Sequence, residues 1–185
     1  MRIGIDIDDT MTDTWKEMMP FYSGWFNISI DTLKKSMPYY NPVKDIYTKS
    51  EYFEIVRPIY DAVVPYVSLK DNVKDVIEKL HQMGHKIILI SARGKGYTDA
   101  YKLTKEYLDN NGIYYDKLIV NMENKDKVCI IENIDLFIDD SYKHCKEVND
   151  VGIRVLLFEN YFNKDDREFR HISDWNQIYN YLENR

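Results

Sequence analysis

The chain reads as an α/β protein built on a parallel sheet, and three observations predict it. Short apolar runs at 3–7, 86–90, 117–120, 135–138 and 154–158 alternate with stretches of helical periodicity. The runs are near-continuous in Ile, Leu and Val, as strands covered on both faces are. Three of them finish in polar residues, namely Asp6-Ile7-Asp8, Ser91 and Asp139-Asp140. In a parallel sheet joined by right-handed crossovers those three endings share one edge, the edge at which open α/β sheets bind ligands.

The first strand, Ile3-Gly4-Ile5-Asp6-Ile7, alternates in a way that sends Asp6 and Asp8 to the same side and Asp9 elsewhere. Residues 14–66 then change character: aromatics crowd there, and all five prolines (Pro20, Pro38, Pro42, Pro58 and Pro65) fall within it. A strand-to-helix connection normally takes a few residues, so this stretch is expected to be an inserted helical cap, leaving 1–13 and 67–185 as the core. Leu69, Val73, Val76, Ile77 and Leu80 form a helical stripe, with Ser68 and Asp71 resembling a capping box and Gly84 closing the helix. Further helices are predicted over 97–110, 126–133 and 141–151. A last one carries Trp175, Ile178, Tyr179 and Leu182 behind Ser173 as N-cap.

With 185 residues and 44% hydrophobic content, the chain has material for one full core. A formal charge of −6 argues against a broad nucleic-acid or anionic-lipid footprint, and no segment approaches a membrane span. The amino terminus lacks a signal-peptide core, so a cytoplasmic protein is expected. Cys129 and Cys145 lack metal-site spacing and read as buried fillers, and His81, His85, His144 and His171 show no ligand spacing.

The strand endings bring carboxylates and a hydroxyl together, and a lysine from the segment holding Lys125 and Lys127 can reach the same crevice. Such a set suits phosphoryl transfer. A carboxylate nucleophile, Asp6, repels the phosphate unless a cation bridges them. Mg²⁺ fits oxygen ligands, here Asp6, Asp8 through its backbone carbonyl, and the acidic pair Asp139 and Asp140. Asp8 would serve as general acid and base, while Ser91 and the lysine stabilise the phosphoryl oxygens. Each residue also has a plainer reading: the acids as a solvated turn, Asp139-Asp140 as a helix cap, Ser91 as a strand end, and either lysine as a surface residue. Arg93, flanked by Gly94 and Gly96, is a candidate anion receptor or a surface arginine. Phe21, Tyr22 and Trp25 are candidates to face a substrate, although a small helical module also needs such side chains for its own packing.

In order and spacing these motifs resemble the haloacid dehalogenase-like phosphatases. The family's Asp-x-Asp-x-Thr is matched by Asp6-Ile7-Asp8-Asp9-Thr10, its strand ending in Ser or Thr by Ile87 to Ser91, and its paired acids by Asp139-Asp140. Between Lys125 and Lys127 the match is ambiguous, and Asp126-Lys127 is the more similar to the deoxyribonucleotidase branch. The resemblance implies a Rossmann-like core with helices on both faces, Mg²⁺ as cofactor and an aspartyl-phosphate intermediate. It also implies a small phosphomonoester as partner, a nucleotide or deoxynucleotide foremost, with Thr10, Ala92, Arg93, Phe21 and Trp25 as candidate substrate contacts. A sugar-phosphate phosphatase and a non-catalytic Mg²⁺-binding protein are the alternatives. Many relatives have Gly where this chain has Asp9 and Thr where it has Ser91.

Overall fold

Side chains alternate along a strand, so a strand apolar at every position must be covered twice. The computed structural model, which describes residues 1–36 and 41–183, shows this arrangement. Strands β1 (Arg2–Ile5), β2 (Lys86–Ile90), β3 (Lys117–Ile119), β4 (Leu136–Asp139), β5 (Arg154–Phe158) and β6 (His171–Ile172) form one sheet. Every pairing is parallel and the order is β3-β2-β1-β4-β5-β6. On one face Ile3, Ile5, Ile87 and Leu89 pack against α4 (Val73–Gln82), α5 (Ala100–Asn110) and α8 (Trp175–Glu183). On the other, Ile88, Ile90 and Phe137 pack against α6 (Lys125–Ile131) and α7 (Tyr142–Asp150). Both cysteines are buried and unbonded. Among the described residues no helix is long and apolar enough to cross a membrane.

The stretch after β1 holds α1 (Thr14–Phe26), α2 (Ile30–Lys35) and α3 (Lys49–Val63), gathered around a separate apolar cluster that includes Trp15, Met18, Tyr22, Leu33, Tyr52, Val56 and Tyr60. The chain enters and leaves this insertion side by side. Thr12 and Leu69 form an antiparallel bridge, Asp13 N donates to Ser68 O at 3.0 Å, and Lys70 N donates to Met11 O at 2.8 Å. Pro38, Tyr39 and Tyr40 lie outside the described residues.

Several element ends differ from the sequence expectation for local reasons. Ser68 and Asp71 form no capping box, because 68–70 are spent on the bridge and α4 starts at Val73. The helix expected from Tyr97 starts at Ala100, where Asp99 accepts from Lys102 N at 3.0 Å. The last helix is preceded by Asp174, whose carboxylate accepts from Asn176 N at 2.6 Å, leaving Ser173 outside. Strand β6 spans two residues, too few for a period to register.

Gly4 sits in β1 between Ile3 and Ile5 and therefore points to the α6/α7 face. A Cβ there would stand 3.0 Å from Phe137 Cδ2 and 3.2 Å from both Ile134 Cγ2 and Ile90 Cδ1. Gly4→Ala is expected to destabilise by about 1–3 kcal/mol through overpacking, seen as a lower urea midpoint at unchanged slope. A midpoint equal to that of the native chain would refute the tight fit.

Candidate active site

In this strand order the connections from β1 and β4 leave in opposite directions, which opens a crevice at their carboxyl ends. Asp6 follows β1 directly, and its N–H donates to Ile138 O of β4 at 2.9 Å. Asp139 ends β4. Between them stands Lys125, the first residue of α6, only 1% exposed. Its Nζ donates to Asp6 Oδ1 and, at 2.7 Å, to Asp139 Oδ2. Lys127, the lysine favoured from sequence, is exposed and takes no part. The reason is helical phase: two residues on a helix are roughly 200° apart, so only one of the pair can face the crevice.

The electrostatics of this cluster are unbalanced. Burial pushes the Asp6 carboxyl up to about 7, with repulsion from Asp139 and Asp8 adding to it and Lys125 opposing. Burial also works against Asp139, but Lys125 and then His144, whose Nδ1 is 3.3 Å away, hold it down at about 2. Asp140 is raised well above the usual range by burial and by Asp9, Asp139 and Asp6. Burial opposes the Lys125 ammonium, yet Asp139 and Asp6 hold it firmly charged. Asp6, Asp139 and Asp140 each bring one oxygen within 4.8 Å of the others. Three hard oxygen donors that repel one another, with one lysine among them, fit a divalent cation of the Mg²⁺ type.

Asp8 lines the same cleft as Asp6 but stands outside the close group of Asp6, Asp139 and Asp140. Strand β1 has already ended, and 6–11 turn tightly: Met11 N donates to Ile7 O at 2.8 Å, and Asp9 is left-handed at φ 59°. Asp9 tolerates that left-handed position, and its carboxylate accepts from Trp15 N at 2.8 Å. Asp8 meets Arg93 instead, at 2.8 Å from Nε and 2.7 Å from Nη2, and accepts from Thr14 Oγ1 at 2.6 Å. Although burial alone would raise Asp8, Arg93 and Thr14 hold its pKa below the ordinary value.

Arg93 is accordingly neither a surface arginine nor an open anion receptor. Ser91, at the end of β2, is 1% exposed and accepts from Arg93 N at 3.1 Å. Thr10 is fully buried and donates to Asp140 Oδ1 at 3.5 Å, supporting that acid. Asn160 also holds Asp140, donating to Oδ2 at 2.8 Å, while Asn163 donates to its carbonyl at 2.7 Å. The sequence reading missed these asparagines; the one signal was the Asn-x-x-Asn spacing after β5. It also missed His144.

Above the acids lies a cleft of about 470 Å³ that takes in Asp6, Asp8, Asp139 and Asp140 on one side and Tyr52, Phe53 and Tyr60 of the insertion on the other. Ala92 lines it. Phe21 and Trp25 do not: they are 49% and 62% exposed on the outer side of α1, while Trp15, Met18 and Tyr22 face inward. The hydroxyls of Tyr22, Tyr52 and Tyr60 close a ring in which each can donate once and accept once, with Tyr22–Tyr60 at 2.8 Å and Tyr52–Tyr60 at 2.9 Å. Burial pushes the Tyr52 phenol up to about 12. Gly96 is needed beneath this wall, since a Cβ there would meet the Tyr60 ring at 2.5 Å.

Comparison with known proteins follows the same lines. The model of the family described as 5′ nucleotidase, deoxy (pyrimidine), cytosolic type C matches residues 1–184. A nucleotidase of Clostridium acetobutylicum is 29% identical over 182 residues, covering 97% of this chain and 92% of its own. Among solved structures, a chain titled a predicted phosphatase from Clostridium acetobutylicum superposes with a TM-score of 0.77 at 13% identity, covering 100% of this chain and 98% of that one. A haloacid dehalogenase-like family hydrolase from Streptococcus pneumoniae gives 0.71 at 14% identity, covering 98% and 97%. With its Rossmann-like sheet, its acids at the β1 and β4 ends and a family match along nearly its whole length, the chain belongs to the cytosolic type C 5′-nucleotidase family, a family of phosphomonoester hydrolases.

Proposed function

We propose that the protein is a Mg²⁺-dependent 5′-nucleotidase of the cytoplasm that hydrolyses a nucleoside or deoxynucleoside monophosphate through an aspartyl-phosphate. The observation that carries this reading is the placement of Asp6, held by Lys125 among further acids on the floor of a cleft whose opposite wall is aromatic. A phosphate on the floor leaves its ester group against that wall, and 470 Å³ is within the range of small-molecule sites. Residues 14–66 then act as a cap that sets the leaving group.

In the proposed reaction a carboxylate oxygen of Asp6 attacks phosphorus, and the bond to the leaving oxygen breaks as Asp8 gives that oxygen a proton. Asp8 next takes a proton from water while the water oxygen attacks phosphorus, releasing phosphate and restoring Asp6. Lys125 keeps Asp6 in place and adds positive charge beside the transferring group. Ser91 supports the loop that carries Arg93. Asp6, Asp139, Asp140 and the backbone carbonyl of Asp8 would hold Mg²⁺, which supplies charge neutralisation between nucleophile and phosphate.

Purified protein with Mg²⁺ should release phosphate from nucleoside monophosphates and lose that release with a chelator, recovering it when Mg²⁺ is restored. Asp6→Asn should remove it by at least about 10³-fold while the fold persists. Release from sugar phosphates alone would transfer the reading to another small phosphoester, and undiminished release by Asp6→Asn would overturn the mechanism. The two lysines separate cleanly. Lys125→Ala should cost about 10²-fold or more in kcat/KM, whereas Lys127→Ala should stay within about two-fold. The reverse ranking would return Lys127 to the site.

A further inference from the structure

We propose that Arg93 is a positioning residue that acts through Asp8, fixing the direction of its carboxylate from the core side while Thr14 holds the same carboxylate from the first helix of the insertion. The inference rests on the reading of Asp8 as the acid and base of the reaction. Arg93 and Asp8 are 85 residues apart in sequence and make a two-point pair, Nε to Oδ2 at 2.8 Å and Nη2 to Oδ1 at 2.7 Å. Two parallel contacts fix both the distance and the plane of a carboxylate, which one ammonium cannot do.

The arginine is itself fixed. Nη1 reaches Thr104 Oγ1 of α5 at 3.4 Å, and the guanidinium lies 5.7 Å from the centre of the Tyr107 ring. The Tyr107 hydroxyl donates at 2.8 Å to the carbonyl of Val67, where the chain returns from the insertion. From the other side, Thr14 Oγ1 donates to Asp8 Oδ1 at 2.6 Å, and Thr14 opens α1, the helix by which the chain enters the insertion. With its own proton on Asp8, the Thr14 hydroxyl can accept one from Thr12 Oγ1, 2.7 Å away. The Asp8 carboxylate is thus held from both the core loop and the insertion.

Exposure decides between holding Asp8 and binding substrate. Arg93 borders the cleft, but its side chain is 1% exposed and that of Asp8 is 19%, so the acid is more open to a molecule in the cleft than the guanidinium is. A receptor for a substrate anion would show the opposite order.

The test is a double-mutant cycle on p-nitrophenyl phosphate, whose good leaving group keeps turnover measurable when Asp8 is changed. Arg93→Lys preserves the charge and loses the fork. It should lower kcat by about 10–100-fold with KM within about three-fold, as misplacement of a reacting group does. Asp8→Asn should lower kcat further, and adding Arg93→Lys to it should change kcat by less than about two-fold. A raised KM at native kcat in Arg93→Lys would make Arg93 a substrate receptor and overturn the proposal. So would an equal loss from Arg93→Lys in the native and Asp8→Asn backgrounds, with the role of Asp8 left standing. Native turnover in Asp8→Asn would instead remove Asp8 from the chemistry and the proposal with it. If Arg93→Lys does not fold, Thr14→Val probes the same carboxylate: it should lower kcat in the native background only, and Thr14→Ser should restore it. An unchanged kcat in Thr14→Val, or the same loss in both backgrounds, would overturn the proposal.

Discussion

A single buried ammonium organises the catalytic edge of this sheet. Lys125 bridges Asp6 and Asp139, whose carboxylates belong to the ends of two adjacent strands. Without a cation between them, two buried carboxylates at such separation would repel across a poorly screening interior. One lysine does not complete the balance. Asp140 and Asp9 stand nearby, and the Asp6 and Asp140 carboxyls are pushed up first by burial and then by their acidic neighbours. The fold concentrates negative charge at the ends of β1 and β4, where Asp6, Asp139 and Asp140 bring their oxygens together.

The same turn divides two acids that are only two residues apart. Asp6 is pushed up among like charges, whereas Asp8 is held down by Arg93 and Thr14. The division comes from backbone geometry: β1 stops at Ile5, and the left-handed Asp9 turns the chain so that residues 6 and 8 meet different partners. Asp9 can occupy that position because its own short carboxylate caps Trp15 N.

What was legible in the sequence was whatever depends on local pattern. Buried parallel strands need continuous apolar runs, so β1, β2, β4 and β5 and the acids at their ends could be read directly. Lys125 could not be told from Lys127, because a choice between them needs the phase of α6, and that helix is only seven residues long. Arg93 was noticed, but its pairing with Asp8 was not legible, since that carboxylate lies 85 residues away. The same limit hid Asn160 and Asn163, whose amides serve Asp140 from the loop after β5. In α1 the phase was available: Trp15, Met18 and Tyr22 mark the inner face, and Phe21 and Trp25 fall on the other. Aromatic content alone concealed it.

The insertion has the physical means to be both firm and specific. Its own apolar cluster includes the three hydrogen-bonded tyrosines, so the wall it offers to the cleft is rigid where Tyr52 and Tyr60 are locked together. Its contacts with the core differ in kind. At the entry and exit the chain is bonded backbone to backbone, while across the cleft mouth Lys49 meets Glu123 at 3.4 Å as an ion pair with both partners more than half exposed. An exposed pair contributes about 0–1 kcal/mol and weakens with salt, whereas burial of Tyr60 against Gly96 does not. Any opening of the cleft would therefore yield first at Lys49 and Glu123 and last at residues 11–13 and 68–70, the end nearest Asp8.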